Sequence, residues 1–166
     1  MIRDFLDFFE LALKRDPGRF RMERAIGPTL NLGSGFSPLP HAANLDLPDW
    51  AAPYIPYETE SIENVHAYHF FEHLDPIMAI STLREVERVL MVHGRAWIAV
   101  PLAPTPLSVA DLTHKSFWTE ETLRHLFANK GYDPAGSWNF EILFTMIAGV
   151  AARNLMVFYV LEKTSR

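Results

Sequence analysis

Cysteine is absent from this chain of 166 residues. Its absence excludes disulfides, thiolate metal sites and a cysteine nucleophile. A basic excess is absent too. Lys and Arg number 15 against 20 Asp and Glu, a formal charge of −5, which leaves no electrostatic footprint for nucleic acid. The one basic cluster, Lys14, Arg15, Arg19, Arg21 and Arg24, reads as a solvated linker between a helix and a strand. No apolar run is long enough to span a bilayer; the longest, from Ile142 to Ala152, is stopped by Arg153 and Asn154. The opening Met1-Ile2-Arg3-Asp4 places an acid among apolar residues, and no small-residue cleavage site follows, so it does not read as a signal peptide. A cytoplasmic protein with no membrane partner is expected. No internal repeat or low-complexity tract is present.

What is present is an ordinary globular composition, 49% hydrophobic and 21% charged, at a length that suits one domain with a real core. The expected division is a single domain over 1–166, with an N-terminal helix and linker over 1–28 and a core over 29–162. Ile2, Phe5, Leu6, Phe9 and Leu13 share one helical face over 2–14, and Asp16-Pro17-Gly18 ends it. Strands are expected at 29–33, 44–47 and 62–70. Between them, 48–57 carries Pro48, Pro53 and Pro56 and reads as irregular loop.

Asp75-Pro76 is a helix start, with Asp at the N-cap and Pro at the first helical position. Ile77, Ile80, Leu83, Val86 and Leu90 follow at helical spacing, and His93-Gly94 is expected to end the helix in a left-handed conformation. A strand over 95–100 and a long loop over 101–117 come next. Thr119 is the expected cap of a helix ending at Gly131, and strands are expected near 136–143 and 154–162. Helices inserted between strands imply a mostly parallel α/β sheet; the closing pair lacks an intervening helix, so the last strand is expected to be antiparallel. The apolar 2–14 helix and the 142–152 run either cover the core or form a homodimer face.

The segment Thr29-Leu30-Asn31-Leu32-Gly33-Ser34-Gly35, followed by Asn44-Leu45-Asp46, carries the first chemical signal. A strand ending in small residues lets a ligand approach the backbone. An acid at the tip of the neighbouring strand can accept hydrogen bonds from ribose hydroxyls. Gly-Ser-Gly is equally the composition of an ordinary turn.

Further segments extend that signal. They are Ile55-Pro56-Tyr57-Glu58 with Ser61 to Val65, Phe70-Phe71-Glu72-His73-Leu74, Leu83 to Leu90 with Gly94, and Ile98-Ala99-Val100-Pro101. His114 to Leu123, with Gly131-Tyr132, completes the series. In this order and spacing the chain resembles a small class I S-adenosylmethionine (SAM)-dependent methyltransferase over about 29–132. The resemblance implies a three-layer, Rossmann-like α/β fold whose first crossover is shortened, because only Phe36 to Ala43 is available for it.

It also implies SAM as cofactor and methyl transfer to an O- or N-nucleophile of a small-molecule, sugar or protein acceptor. Gly33, Ser34 and Gly35 would line the methionine and ribose. Asn31 stands where the family often has an acid, Asp46 would bind the ribose, and Leu47 follows it. Tyr68, His69 and Phe70 would face the methyl-transfer region. With so short a crossover, the backbone amides of Ser34 and Gly35 are expected to do more of the positioning. A catalytically inactive, methyltransferase-like binding or assembly module is the alternative. No Asn/Asp-Pro-Pro-Tyr tetrad follows Phe70, which argues against amino-methylation of DNA bases.

His69 and His114 are the catalytic candidates, since an imidazole titrates near neutrality. His69-Phe70-Phe71-Glu72-His73 also matches the H-x-x-E-H pattern of zinc proteases, and His66 lies just upstream. That chemistry needs both histidines on one helical face. On an extended strand, 69 and 73 stand about 13 Å apart, so no metal is expected. His66 and Trp118 read as packing residues.

Overall fold

The computed structural model describes residues 27–36, 38–129, 137–149 and 155–165. The 2–14 helix, the basic cluster and Gly131 lie outside them. Thr29–Leu32 forms β1, Ala43–Leu45 β2 and Ile62–Tyr68 β3. A single 3-10 turn, Phe71–His73, leads to helix α1, Pro76–Val89, and strand β4, Leu90–Pro101. A four-residue helix α2, Pro106–Val109, interrupts the expected long loop. Helix α3 is Thr122–Ala128, β5 is Phe140–Ala148 and β6 is Met156–Lys163.

The six strands form one sheet in the order β2-β1-β3-β4-β6-β5. β2, β1, β3 and β4 are mutually parallel. β6 runs antiparallel to both β4 and β5. The fold class and the reversed last strand are therefore as expected, and β6 sits inside the sheet, paired antiparallel with β4 on one side and β5 on the other.

The alternation of side chains across the strands divides the interior in two. On one face Leu30, Leu32, Val65, Ala67, Ile98, Val157 and Tyr159 pack with Leu83 and Val86 of α1 and Leu123 of α3. On the other, Trp97, Ala99, Met156, Phe158 and Val160 pack with Tyr68 and with Leu107 of α2. Helical residues thus cover both faces of a Rossmann-like sheet. No described helix is long and apolar enough to cross a membrane.

The crossover from β1 to β2 contains no helix among its described residues. The loop from Asp46 to Ser61 is equally irregular, and its backbone groups are satisfied by α1. Glu85 accepts the Ile55 amide at 3.0 Å, while Arg88 donates to the Ile55 and Tyr57 carbonyls at 2.8 Å each. The two side chains are themselves paired in a fork, with both N–H···O distances 2.8 Å. The Arg88 hydrogen bond holds the Glu85 carboxyl below the usual carboxylate range, opposed by partial burial. Two residues of the Leu83-to-Leu90 segment therefore brace the loop as a strand ladder would.

Several local expectations are corrected. Asp75 does cap α1, accepting the Met78 amide at 3.0 Å. The helix ends at Val89, not at His93-Gly94, because β3 captures Leu90 through the Ile62–Leu90 pairing. His93, not Gly94, takes the left-handed conformation, at φ +67°. Gly94 answers a close approach instead: a Cβ there would meet the carbonyl oxygens of Met91 and Glu63 at 2.9 and 3.0 Å.

Ile77 stays 79% exposed, and Ala79, Leu83 and Val86 form the buried face. α3 begins later than Thr119, because the Thr119 amide donates to Thr122 Oγ1 at 2.8 Å in a local turn. β5 is displaced toward the C-terminus of its expected range and takes in Ile142 to Ala148 of the long apolar run.

Candidate active site

In an open parallel sheet, ligands bind beyond the carboxyl ends of the strands, where the strand order reverses. Here the chain moves from β1 out to β2, then returns across β1 to β3. The reversal lies between the ends of β1 and β3, at Gly33 on one side and His69-Phe70 on the other.

Gly33 and Gly35 both take positive φ, +65° and +49°. At Gly33 a second constraint applies, since a Cβ would stand 2.9 Å from Phe70 Cβ. Phe70 closes over the turn and packs against Trp50, with ring centroids 5.7 Å apart. Among the described residues, a Cβ on Gly35 would have only Asp46 Oδ2 near it, at 4.0 Å.

The amides of this turn are directed at the end of β2. Gly33 and Ser34 donate to the Leu45 carbonyl at 2.8 and 3.4 Å, and Gly35 donates to Asp46 Oδ2. The amides expected to hold a ligand thus hold the strand tip. Asp46 Oδ1 accepts the Leu47 amide at 2.9 Å. Each Asp46 oxygen keeps a further lone pair, and Leu47 is 73% exposed beside them. Asn31 is buried and donates to Asn44 Oδ1 at 2.8 Å, tying β1 to β2.

The other side of the crevice is a kink. His69 has φ +53° and donates its amide to the Ala99 carbonyl at 2.9 Å, turning the chain out of β3. Its Nδ1 lies 3.0 Å from Glu72 Oε1. Glu72 is 1% exposed, and its second oxygen has no hydrogen-bond partner among the described residues. The segment expected to be extended is thus turned by His69 and by the 3-10 geometry of Phe71–His73.

The same turn receives the loop after β4. Glu72 O accepts the amides of Lys115 and Ser116 at 2.7 and 3.1 Å, and Ser116 Oγ donates to the Phe71 carbonyl at 3.0 Å. His114 is carried against His73, with ring centroids 4.9 Å apart and nearly perpendicular. The His114 side chain is 5% exposed, against 40% for His69.

Tyr68, expected to face the methyl-transfer region, packs against the second core instead, because alternation along β3 turns its side chain to that face. Its hydroxyl lies 2.7 Å from His66 Nδ1, and burial raises its pKa well above the ordinary value. A phenol so held donates, so His66 is the neutral acceptor. Burial pushes the His66 pKa down to about 4, and its ring stacks on Trp97. Trp118 is buried between Phe71 and Tyr159. His66 and Trp118 are packing residues, as expected. Sequence reasoning missed the Glu85–Arg88 brace and the meeting of His114 with Glu72-His73, for which no local pattern exists.

The reversal point, the glycine turn and the acid at the second strand tip define a class I SAM-dependent methyltransferase fold. Solved structures share it. One is a SAM-dependent methyltransferase from Methanosarcina mazei, 13% identical, covering 84% of this chain and 93% of that one at a TM-score of 0.62. Another is the 1,6-didemethyltoxoflavin-N1-methyltransferase of Burkholderia thailandensis with bound 1,6-didemethyltoxoflavin and S-adenosylhomocysteine. It is 13% identical, with 98% of this chain and 87% of that one covered at a TM-score of 0.59. A third is the 4+2 cyclase SpnF, 10% identical, covering 76% of this chain and 57% of that one at 0.54. No protein-family model and no curated protein matches the chain.

Proposed function

We propose that this chain is a SAM-dependent methyltransferase acting on an O- or N-nucleophile of a small-molecule, sugar or protein acceptor. The observation that carries the reading is the Gly33-Ser34-Gly35 turn at the β1–β3 reversal, with Asp46 at the tip of β2 bonded to Gly35. The residues fit the cofactor: no described residue other than Asp46 crowds Gly35, and the Asp46 carboxylate has acceptor capacity left for ribose hydroxyls. Asn31, Gly33, Ser34, Gly35, Asp46, Leu47 and Phe70 would hold it, with Tyr68 supporting the β3 tip from behind.

When bound, SAM supplies an electrophilic methyl group on a sulfonium. The protein's part is to align the acceptor for in-line displacement and to exclude water. His69 would take the acceptor's proton. Its Nδ1 lies 3.0 Å from Oε1 of buried Glu72, which orients the ring. His114 is the more enclosed of the two histidines.

The test is calorimetric titration of the folded protein with SAM and with S-adenosylhomocysteine. Saturable binding of both supports the proposal, and no heat up to millimolar ligand overturns it. One observation favours the second reading, an inactive binding or assembly module: the Gly33 and Ser34 amides are committed to Leu45, and no helix backs the turn among the described residues. Binding of SAM without methyl transfer to a broad acceptor panel distinguishes that module from an enzyme.

A further inference from the structure

We propose that Glu72, His73 and His114 form a binding site for a divalent transition-metal ion such as zinc. Each offers a ligating atom, and the three atoms lie within 4.8 Å of one another. Two imidazoles and one carboxylate are a donor set for Zn(II), Fe(II) or Mn(II), not for an all-oxygen calcium cage.

The hydrogen bonds around the cluster prepare each ligand. His114 Nδ1 lies 2.9 Å from the Ser108 carbonyl, which can only accept, so Nδ1 carries the proton and Nε2 carries the lone pair. His73 Nδ1 lies 3.0 Å from Thr113 Oγ1. That hydroxyl donates its one hydrogen to Asp111 Oδ1 at 2.7 Å, so it accepts from His73 and again leaves Nε2 free to ligate.

Histidine ligands of metals are oriented in this way, by a carbonyl or a carboxylate relay on the other ring nitrogen. Glu72 completes the set. Oε1 faces His69, and Oε2 is buried with no hydrogen-bond partner among the described residues. A buried carboxylate oxygen left unpaired is costly, and a cation would satisfy it. Asp111 Oδ2, 3.8 Å from His114 Nε2, adds negative charge beside the site.

The H-x-x-E-H pattern is thus half used. Glu72 and His73 contribute, the upstream His69 orients Glu72, and the third ligand arrives from the loop after β4. The expectation of no metal rested on residues 69 and 73 sharing an extended strand; the turn at Phe71–His73 removes that premise. Three protein ligands leave positions open for water or for an oxygen of an acceptor at the same rim. Metal binding itself does not depend on the methyltransferase reading.

The test uses the full chain, stripped with a chelator and titrated with zinc by calorimetry and with cobalt(II) by visible spectroscopy. The expected result is one equivalent per chain and the d–d bands of a low-symmetry cobalt site. His73→Ala and His114→Ala abolish stoichiometric binding, while His125→Ala leaves it unchanged. Thr113→Val keeps all three ligands and removes the hydroxyl that links His73 to Asp111, so it covers the case in which a ligand variant does not fold; it lowers affinity about 10–100-fold. Absence of stoichiometric binding by the unaltered chain, or equal affinity in the folded His73→Ala, His114→Ala and Thr113→Val variants, overturns the proposal. SAM titration of the same samples is read separately, so failure of either proposal is seen by itself.

Discussion

Asp46 and Gly35 are joined across the tips of neighbouring strands, the carboxylate of one accepting the amide of the other. The second Asp46 oxygen accepts the Leu47 amide at 2.9 Å. One side chain therefore shapes the glycine turn and presents acceptors beside it. Replacing it should affect ligand affinity and local order together. Asp46→Ala is expected to weaken SAM binding about 10–100-fold, equivalent to roughly 1.4–2.8 kcal/mol, with the midpoint of urea unfolding little changed. Calorimetry checks the first and denaturation the second. An unchanged affinity would remove Asp46 from the site.

Gly33 is constrained twice, by φ +65° and by Phe70 in the space of its missing side chain. Gly33→Ala should cost about 1–2 kcal/mol from the left-handed backbone alone, and more from displacing Phe70. In a Gly33→Ala, Phe70→Gly pair the losses are expected to be less than additive, because the second change removes both the ring and the Cβ that a Gly33 Cβ would meet. A double-mutant cycle in urea measures the coupling.

Arg88 satisfies two carbonyls of the loop that follows β2 and pairs with Glu85. Arg88→Met leaves the Ile55 and Tyr57 carbonyls and a partly buried carboxylate without their partner. A loss of about 2–4 kcal/mol is expected, read as a lower urea midpoint. Arg88→Lys should recover only part of it, because an ammonium lacks the planar fork.

His66 supplies a pH dependence. Its pKa falls from 6.5 in the open chain to about 4 when buried between Tyr68 and Trp97. Between those values the unfolded chain binds a proton that the folded chain refuses, so stability falls as the pH is lowered through this window. The contribution is about 3 kcal/mol at most. His66→Gln keeps an acceptor for Tyr68 and should flatten stability against pH from 6.5 to 4. A slope equal to that of the unaltered protein would show that His66 does not carry it.

If His69 takes the acceptor's proton, His69→Ala should lower kcat about 100- to 10,000-fold with SAM affinity retained. Measuring both on one preparation separates loss of the base from loss of the site.

Periodicity and local capping are written in the chain. The apolar runs of β1, β3, β4 and β6, the Asp75-Pro76 start of α1 and the reversed last strand depend on neighbours in sequence, and they were legible. So were the glycine turn and Asp46, because strand tips announce themselves by small residues and a nearby acid.

Where α1 ends was not legible, since β3 pairing competes with helix propagation at Leu90. Nor was the stage on which Phe70 closes over Gly33. The meeting of His73 with His114 depends on the Lys115 and Ser116 amides reaching the Glu72 carbonyl. The sequence by itself determined a mostly parallel sheet with a glycine-and-acid pair at its carboxyl edge. Only the tertiary structure decided that His73 and His114 meet, because contacts between distant loops are set by backbone bonds that no local pattern encodes.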